Sequence, residues 1–148
     1  MPNLVTCHRR RSTGNLAVEV EHDRVLRHDV KVSVFEVAES AVHGRGLVAT
    51  TDIQPGVTIA VWPLLLFPGD DPVWGSGSLI EHYVFELDDG YALILGEGSL
   101  LNHHRDNPNC AVDLGDDTAT VTAVRAIASG EELTIDYAAG DPDRDFGF

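Results

Sequence analysis

The sequence predicts a mostly β fold, and three features of the chain support this prediction. Apolar residues alternate with polar residues over short segments, which is the period-2 pattern of β-strands. Turn-forming groups of Gly, Pro and Asp separate these segments. Only residues 77–82 and 98–103 could hold a helical turn or two. Because no alternation of strands and helices is visible, a doubly wound parallel sheet is disfavoured.

The alternating segments follow one another along most of the chain. A polar stretch at residues 1–14 is expected to be a flexible arm, and alternation begins in LAVEVEHDRVL (16–26) and VKVSVFEV (30–37). The remaining predicted strands are RGLVAT, VTIAVWPLLLF, HYVFELD, YALILG, CAVDL, TATVTAV and ELTIDY. We expect residues 1–30 to form an N-terminal arm or strand extension, residues 31–140 the main domain, and residues 141–148 a short tail.

Length and composition limit the class of protein. A chain of 148 residues is expected to form one domain without disulfide or metal cross-links. The apolar run AVWPLLLF is short and contains Pro63, so it cannot span a bilayer, and no signal segment opens the chain. Cys7 and Cys110 lie far apart with no CxxC pair, which disfavours a disulfide framework and a Cys-rich zinc site. A cytoplasmic location is therefore expected.

The charge is strongly negative and unevenly distributed. The net charge is −14, yet six of the ten basic residues fall in the first 31 positions. Residues 32–148 hold 20 acidic and 4 basic residues, a difference of −16. Such a surface should repel nucleic acid and attract basic polypeptides, and the interpretation as a solubility adaptation or a halophile-like surface stays open.

Three segments concentrate chemically useful residues: HGRGLVATTDIQPGVTI (43–59), LLNHHRDNPNC (100–110) and VRAIASGEELTIDYAAG (124–140). Glycines at 44 and 46 permit unusual backbone angles and close approach to a ligand, although a hairpin turn is the commoner reason for such a pair. A metal site using His103, His104 and Cys110 is disfavoured, because adjacent histidines on an extended segment point to opposite faces.

The order and spacing of GRGL, YVFELD, NH…PN and GEELTIDY resemble the SET domain of protein lysine methyltransferases, over about residues 32–140. The resemblance implies short strands in several small sheets with a knot-like C-terminal crossover, and S-adenosyl-L-methionine as cofactor. It identifies Tyr137 as the catalytic tyrosine. The cofactor-binding residues that it implies are Gly44, Arg45, Gly46, Asn102, His103 and Tyr137.

The resemblance also implies a channel for the substrate lysine. Tyr83 matches the tyrosine that lines this channel, and Ile135 occupies the position that influences how many methyl groups are added. An aliphatic residue at 135 predicts that more than one methyl group can be transferred. The tail at 141–148 lacks the cysteines that bind zinc in many members, so Phe146 or Phe148 is expected to complete the channel, unless the terminus is frayed.

The implied activity is methyl transfer to a lysine of a basic, lysine-rich protein: a histone, a histone-like protein or a ribosomal protein. In a microbe this places the protein in the cytoplasm, at the nucleoid or chromatin through its substrate. No direct nucleic-acid or membrane partner and no metal are expected, and a homodimer is plausible. The alternatives are a catalytically degenerate module that binds basic proteins and, more distantly, a small-molecule amine methyltransferase. The segment NHHRDNPN is one residue longer than the family's usual NHSCxPN, which predicts a looser or displaced loop.

Overall fold

The computed structural model describes residues 5–6, by their backbone, and residues 33–138. Ten strands and two single 3-10 turns make up this part of the chain. The turns are Leu79–His82 and Glu97–Leu100. The strands are β1 (Val5–Thr6), β2 (Phe35–Glu39), β3 (Arg45–Ala49), β4 (Thr58–Pro68), β5 (Val84–Leu87), β6 (Gly90–Ile94), β7 (Asn102–His103), β8 (Cys110–Leu114), β9 (Thr118–Ala123) and β10 (Glu132–Ile135).

The larger sheet has six strands in the order β1-β5-β6-β4-β9-β8. The long strand β4 lies at its centre because its first half pairs with β9 and its second half with β6. Pro63 lies near the changeover between these two partners and has no N–H to donate to either. All pairs are antiparallel except β1 with β5, so backbone residues 5–6 extend the sheet at one edge.

The smaller sheet has the order β2-β3-β10-β7 and brings the chemically interesting segments together. β2 and β3 form a hairpin, β10 pairs antiparallel with β3, and β7 pairs parallel with β10. The last described strand therefore inserts between two segments that precede it by about 30 and 85 residues, with Thr134 opposite Asn102 and Ile135 opposite His103. This insertion is the crossover that the resemblance implies.

A hydrophobic core lies between the two sheets. Leu47 and Leu133, which are paired across β3 and β10, are fully buried in it, as is Val121 of β9. Trp62 of β4 packs against the second 3-10 turn so closely that a Cβ at Gly98 would lie 2.6 Å from its ring. This close approach requires glycine at 98, and it fixes the turn that leads into β7.

The predicted mostly β fold is confirmed, and most predicted strands occur within two residues of their expected limits. The two predicted helical turns exist, but the second ends at Leu100 and is followed by β7, which the alternation pattern did not reveal because β7 has only two residues. The predicted strand at 16–26 and most of the arm and tail lie outside the described residues. Among residues 33–138, no helix is long and apolar enough to cross a membrane.

Candidate active site

A pocket of about 610 Å³ opens beside the smaller sheet, a size typical of small-molecule sites. Four separate stretches of the chain converge on it: the β2–β3 hairpin loop, the first 3-10 turn with Tyr83, the second 3-10 turn with β7, and Tyr137 after β10. Its lining residues are Val42, His43, Gly44, Arg45, Leu79, His82, Tyr83, Ser99, Leu100, Asn102, His103 and Tyr137.

The hairpin loop forms one wall of the pocket. The N–H of Ser40 donates to the carbonyl of Gly44 at 3.0 Å and closes the loop, and Gly44 has a φ of +53°, in the left-handed region that favours glycine. Gly46 does not line the pocket. A Cβ at this position would lie 2.3 Å from Oε1 of Glu132, so the missing side chain makes room for a carboxylate behind the wall.

Asn102 connects β7 to this loop. Its side chain is buried, and Nδ2 lies within hydrogen-bonding distance of four oxygens: Oγ of Ser40 (3.0 Å), the carbonyls of His43 (3.1 Å) and Arg45 (3.2 Å), and Oε1 of Glu132 (2.7 Å). An amide nitrogen has only two hydrogens. The site therefore has more acceptors than this donor can satisfy, and the two carbonyls can accept a further hydrogen bond from a ligand.

His103 supports Tyr137, which lies two residues after the end of β10. The backbone N–H of Tyr137 donates to Nδ1 of His103 at 3.0 Å, so the proton of the neutral imidazole is on Nε2. Burial lowers the pKa of His103, although the Asp136 carboxylate, 3.7 Å from Nδ1, acts in the opposite direction. Both the hydrogen bond and the lowered pKa favour a neutral His103 at neutral pH.

Tyr137 lies at the base of the pocket with its ring centroid 5.1 Å from that of His103. Its hydroxyl donates to the carbonyl of Leu101 at 2.5 Å, which fixes the ring against the second 3-10 turn. Burial, with smaller contributions from Tyr83 and Glu132, raises the pKa of Tyr137 to about 12. The phenol is therefore neutral at physiological pH and does not act as a general base.

Tyr83 follows the first 3-10 turn and is 41% exposed at the edge of the pocket. A second, smaller cavity of about 20 Å³, large enough for roughly one water, shares His82, Tyr83, Ser99 and Tyr137 with the pocket. The two tyrosines therefore flank a narrow recess next to the main pocket. Leu79, 72% exposed, lies on the same rim.

The long loop between β7 and β8 is well supported despite its extra residue. Nδ1 of His104 accepts the N–H of Asn107 at 3.1 Å, and the Arg125 guanidinium donates to the Asn107 carbonyl at 3.3 Å. Arg125 also pairs with Glu131 at 2.7 Å. Asn109, only 1% exposed, binds the backbone of β10 on both sides of Leu133. The predicted loosening of this loop is thus not seen: the insertion extends the exposed part of the loop and leaves Asn109 anchored.

Most of the predicted site residues meet at the pocket. Gly44, Arg45, Asn102, His103, Tyr137 and Tyr83 line it. Ile135 is 3% exposed in the core and does not line the pocket, so its influence on the number of methyl groups stays a prediction. Phe146 and Phe148 lie outside the described residues, and their part in the channel also stays a prediction.

Sequence patterns did not identify several residues that shape the site. Leu79 and His82 come from the first 3-10 turn, whose position beside the pocket follows from tertiary packing. That turn is held by Glu81, which accepts the backbone N–H groups of Gly77 and Ser78 and the hydroxyl of Ser76. The SGSLIE pattern, a serine three residues before a glutamate, is the sequence signal of a capping box that could have indicated this turn.

The pocket itself is not acidic. No Asp or Glu of the described residues lines it, and Arg45 is the one Lys or Arg among its lining residues. Residues 33–138 as a whole contain 17 acidic residues and three arginines. The negative charge of the described residues therefore lies outside the lining of the pocket.

Within residues 33–138, no three His, Cys, Asp or Glu side chains come close enough to hold a metal ion. Cys110 is buried, and burial raises the pKa of its thiol to about 12, which disfavours the thiolate that metals require. His104 points its Nδ1 at its own loop. The metal-site interpretation of this segment has no support in the described part of the chain.

The pocket, the crossover strand and the three convergent motifs define a fold class, and comparison with known proteins identifies it. The model of the SET domain family matches residues 44–138, and this chain belongs to the SET domain family.

Two curated relatives illustrate the similarity. The chain is 34% identical over 143 residues to the histone-lysine N-methyltransferase trithorax of Drosophila virilis, covering 86% of this chain but 4% of that much longer protein. It is 29% identical over 116 residues to the H3 lysine-37 specific histone-lysine N-methyltransferase of Schizosaccharomyces pombe, covering 76% of this chain and 78% of that protein.

Among solved structures, a candidate histone methyltransferase from Plasmodium falciparum shares the fold, with a TM-score of 0.59 at 23% identity. The match covers 71% of this chain and 93% of that one.

Proposed function

We propose that this protein is an S-adenosylmethionine-dependent protein-lysine N-methyltransferase that acts on a basic protein. The observation that carries the proposal is the convergence of the GRG hairpin, Asn102-His103 and Tyr137 on one pocket, although Gly44 and Tyr137 are 93 positions apart in the chain. The curated relatives named above are histone-lysine methyltransferases, which supports the same activity for this chain.

The residues of the pocket fit the cofactor. The carbonyls of His43 and Arg45 share a single amide nitrogen and retain the capacity to accept from an ammonium group. The Arg45 guanidinium and the histidines offer donors to a carboxylate, and Leu100 and Val42 provide apolar surface. When bound, S-adenosylmethionine supplies an electrophilic methyl group on its sulfonium. Gly44, Arg45, Asn102, His103 and Tyr137 would hold it.

Tyr137 acts by position rather than as a base. Its phenol is neutral, and the bond to the Leu101 carbonyl and the bond from its own N–H to His103 hold it at both ends. A substrate lysine has an unperturbed pKa of about 10.4 and must lose its proton before it attacks. The apolar surroundings of the channel disfavour the charged ammonium form, Tyr83 and Tyr137 align the amine, and water takes up the proton.

The substrate class follows from charge. The 17 acidic residues against three arginines in residues 33–138 attract a lysine-rich chain and steer it on encounter. Histones, histone-like proteins and ribosomal proteins all have this character. The same proposal includes three further points: more than one methyl group is transferred, the protein acts in the cytoplasm on nucleoid or chromatin proteins, and the chain forms a dimer.

The test is transfer of labelled methyl from S-adenosylmethionine to a panel of basic proteins, with Tyr137→Phe in parallel. This substitution removes the hydroxyl and keeps the ring, so we expect label in a panel protein that falls at least about 100-fold in the variant. Lys31 is the only lysine of the chain, so Lys31→Arg excludes self-labelling. Calorimetry of cofactor binding completes the test. If the chain neither binds the cofactor nor labels any panel protein, a degenerate module that binds basic proteins is favoured instead.

A further inference from the structure

The hairpin loop that forms the pocket wall depends on one hydroxyl group. Oγ of Ser40 accepts the backbone N–H groups of Val42 at 2.9 Å and His43 at 3.1 Å, and it donates to the Glu132 carboxylate at 2.7 and 2.9 Å. A serine hydroxyl has one proton and two lone pairs. Because the carboxylate takes the proton, the two lone pairs of Ser40 are left to accept from the loop N–H groups and from Nδ2 of Asn102, which lies 3.0 Å away. Ser40 therefore holds the loop backbone next to Asn102.

Glu132 ties this loop to two other segments. It lies in β10, the strand that leads to Tyr137, and is paired there with Val48 of β3. Its Oε1 also accepts Nδ2 of Asn102 at 2.7 Å. One carboxylate thus connects the hairpin loop and β7, which line the pocket, to the crossover strand β10, which leads to Tyr137.

The second glycine of the GRG motif serves this carboxylate. A Cβ at position 46 would lie 2.3 Å from Oε1 of Glu132 and 3.0 Å from Nδ2 of Asn102. Any larger residue would push Glu132 away from both Ser40 and Asn102. In contrast, a Cβ at Gly44 would meet no atom within 4 Å, so only its backbone conformation requires glycine.

We propose that Ser40 and Glu132 are positioning residues that set the cofactor wall of the pocket. Neither lines the pocket. They act through the carbonyls of His43 and Arg45 and through the Asn102 amide, whose relative placement they fix. This inference rests on the proposed function, because it assigns these two residues to binding of S-adenosylmethionine rather than to the methyl-transfer step. Tyr137 is held separately, by Leu101 and His103, and is not the target of this network.

The experiment measures binding of S-adenosylhomocysteine by calorimetry to the full chain and to Ser40→Ala, Ser40→Thr and Glu132→Gln. A hydrogen bond to a charged group is involved in each case, so we expect Ser40→Ala and Glu132→Gln to weaken binding by about tenfold. Ser40→Thr keeps the hydroxyl and should recover most of the affinity. The matched controls are Ser33→Ala, whose hydroxyl bonds only its own exposed segment, and Glu36→Gln on the exposed face of β2.

Two further readouts separate positioning from general stabilisation. The double variant Ser40→Ala/Glu132→Gln should bind about as weakly as the worse single variant, because both substitutions break one network. In steady-state kinetics the larger part of the loss should fall on the KM for the cofactor, with the KM for the protein substrate unchanged. A purely structural role would lower the thermal midpoint and reduce the active fraction without this selectivity.

The outcomes distinguish this inference from the proposed function. Binding by the unsubstituted chain together with weakened binding by Ser40→Ala and recovery in Ser40→Thr supports the inference. Unchanged affinity in both Ser40→Ala and Glu132→Gln overturns it and leaves the proposed function standing. Equal losses in the two control variants also overturn it. No binding of S-adenosylhomocysteine and no methyl transfer by the unsubstituted chain overturn the proposed function, and this inference with it.

Discussion

Replacement of Asn109 by alanine tests the anchor of the long loop. The Asn109 side chain is 1% exposed and donates Nδ2 to the carbonyl of Glu132 at 2.7 Å and to Oε1 of Glu131 at 3.1 Å. Its Oδ1 accepts the N–H of Thr134 at 2.8 Å. Alanine would leave the backbone N–H of Thr134 and the carbonyl of Glu132 without these partners, while Glu131 would keep Arg125.

The expected loss can be estimated from these two backbone groups. A buried polar group left unsatisfied costs about 1–3 kcal/mol, so Asn109→Ala should reduce the free energy of unfolding by about 3 kcal/mol. For a chain of this size this corresponds to a fall of about 10 °C in the thermal midpoint. Urea denaturation followed by circular dichroism gives the free energy directly, and an unchanged m-value would show that the unfolded state is not altered.

Asn107 offers a matched control in the same loop. Its side chain is exposed, and only its backbone N–H and carbonyl are engaged, so Asn107→Ala should change the free energy of unfolding by less than about 0.5 kcal/mol. Equal effects of the two substitutions, or a loss below about 1 kcal/mol for Asn109→Ala, would refute the argument that Asn109 locks the loop onto β10.

Three other predictions concern the glycines, His103 and Cys110. Gly46→Ala should weaken binding of S-adenosylhomocysteine by at least about tenfold, measured by calorimetry, because it displaces Glu132 from Ser40 and Asn102. Gly44→Ala should cost only the left-handed strain of about 1 kcal/mol in the free energy of unfolding, measured by urea denaturation, and a larger loss of binding in Gly44→Ala than in Gly46→Ala would contradict this assignment. The pKa of His103 is lower in the folded protein than in the unfolded chain, so on acidification the unfolded chain takes up the imidazole proton first. The free energy of unfolding should therefore begin to fall as the pH drops below about 6.5, and it should stop falling once the pH is below the folded-state pKa. His103→Gln should remove that component from the pH profile of unfolding and His82→Gln should leave it, and identical profiles for both variants would contradict the assignment. In a Cys7→Ser background, Cys110 should resist alkylation at pH 8 until the protein unfolds. Burial shields its thiol and raises the thiol pKa to about 12. Rapid labelling of the folded protein would contradict this prediction.

Local patterns in the sequence were sufficient to predict most strands. Alternation in TATVTAV predicts β9 because every second side chain enters the core, and that periodicity is independent of the partner strand. The same holds for YALILG and β6. The two-residue strand β7 could not be predicted in this way, since its pairing with β10 is decided by where the crossover strand inserts.

The residues of the candidate site also fall into two groups, those that a sequence pattern identified and those that depend on tertiary packing. The motifs identified Gly44, Arg45, Asn102, His103 and Tyr137 because their identities and order follow the family pattern. Leu79 and His82 were missed because no local pattern indicates which pocket a surface turn will face. The prediction that an additional residue would loosen the NH…PN loop was drawn from length alone, whereas Arg125 and Glu131, from distant positions, support that loop.

The sequence by itself determined the class of fold and the identity of the motif residues, because strand periodicity and turn chemistry are local properties of the chain. Only the tertiary structure decided how those residues cooperate. Ser40, Gly46, Asn102 and Glu132 are separated by up to 92 positions, and the hydrogen bonds between them exist only because β10 inserts between β3 and β7. Local patterns do not specify which distant backbone and side-chain groups a strand will meet once it is inserted, and at this site those groups set the shape of the pocket.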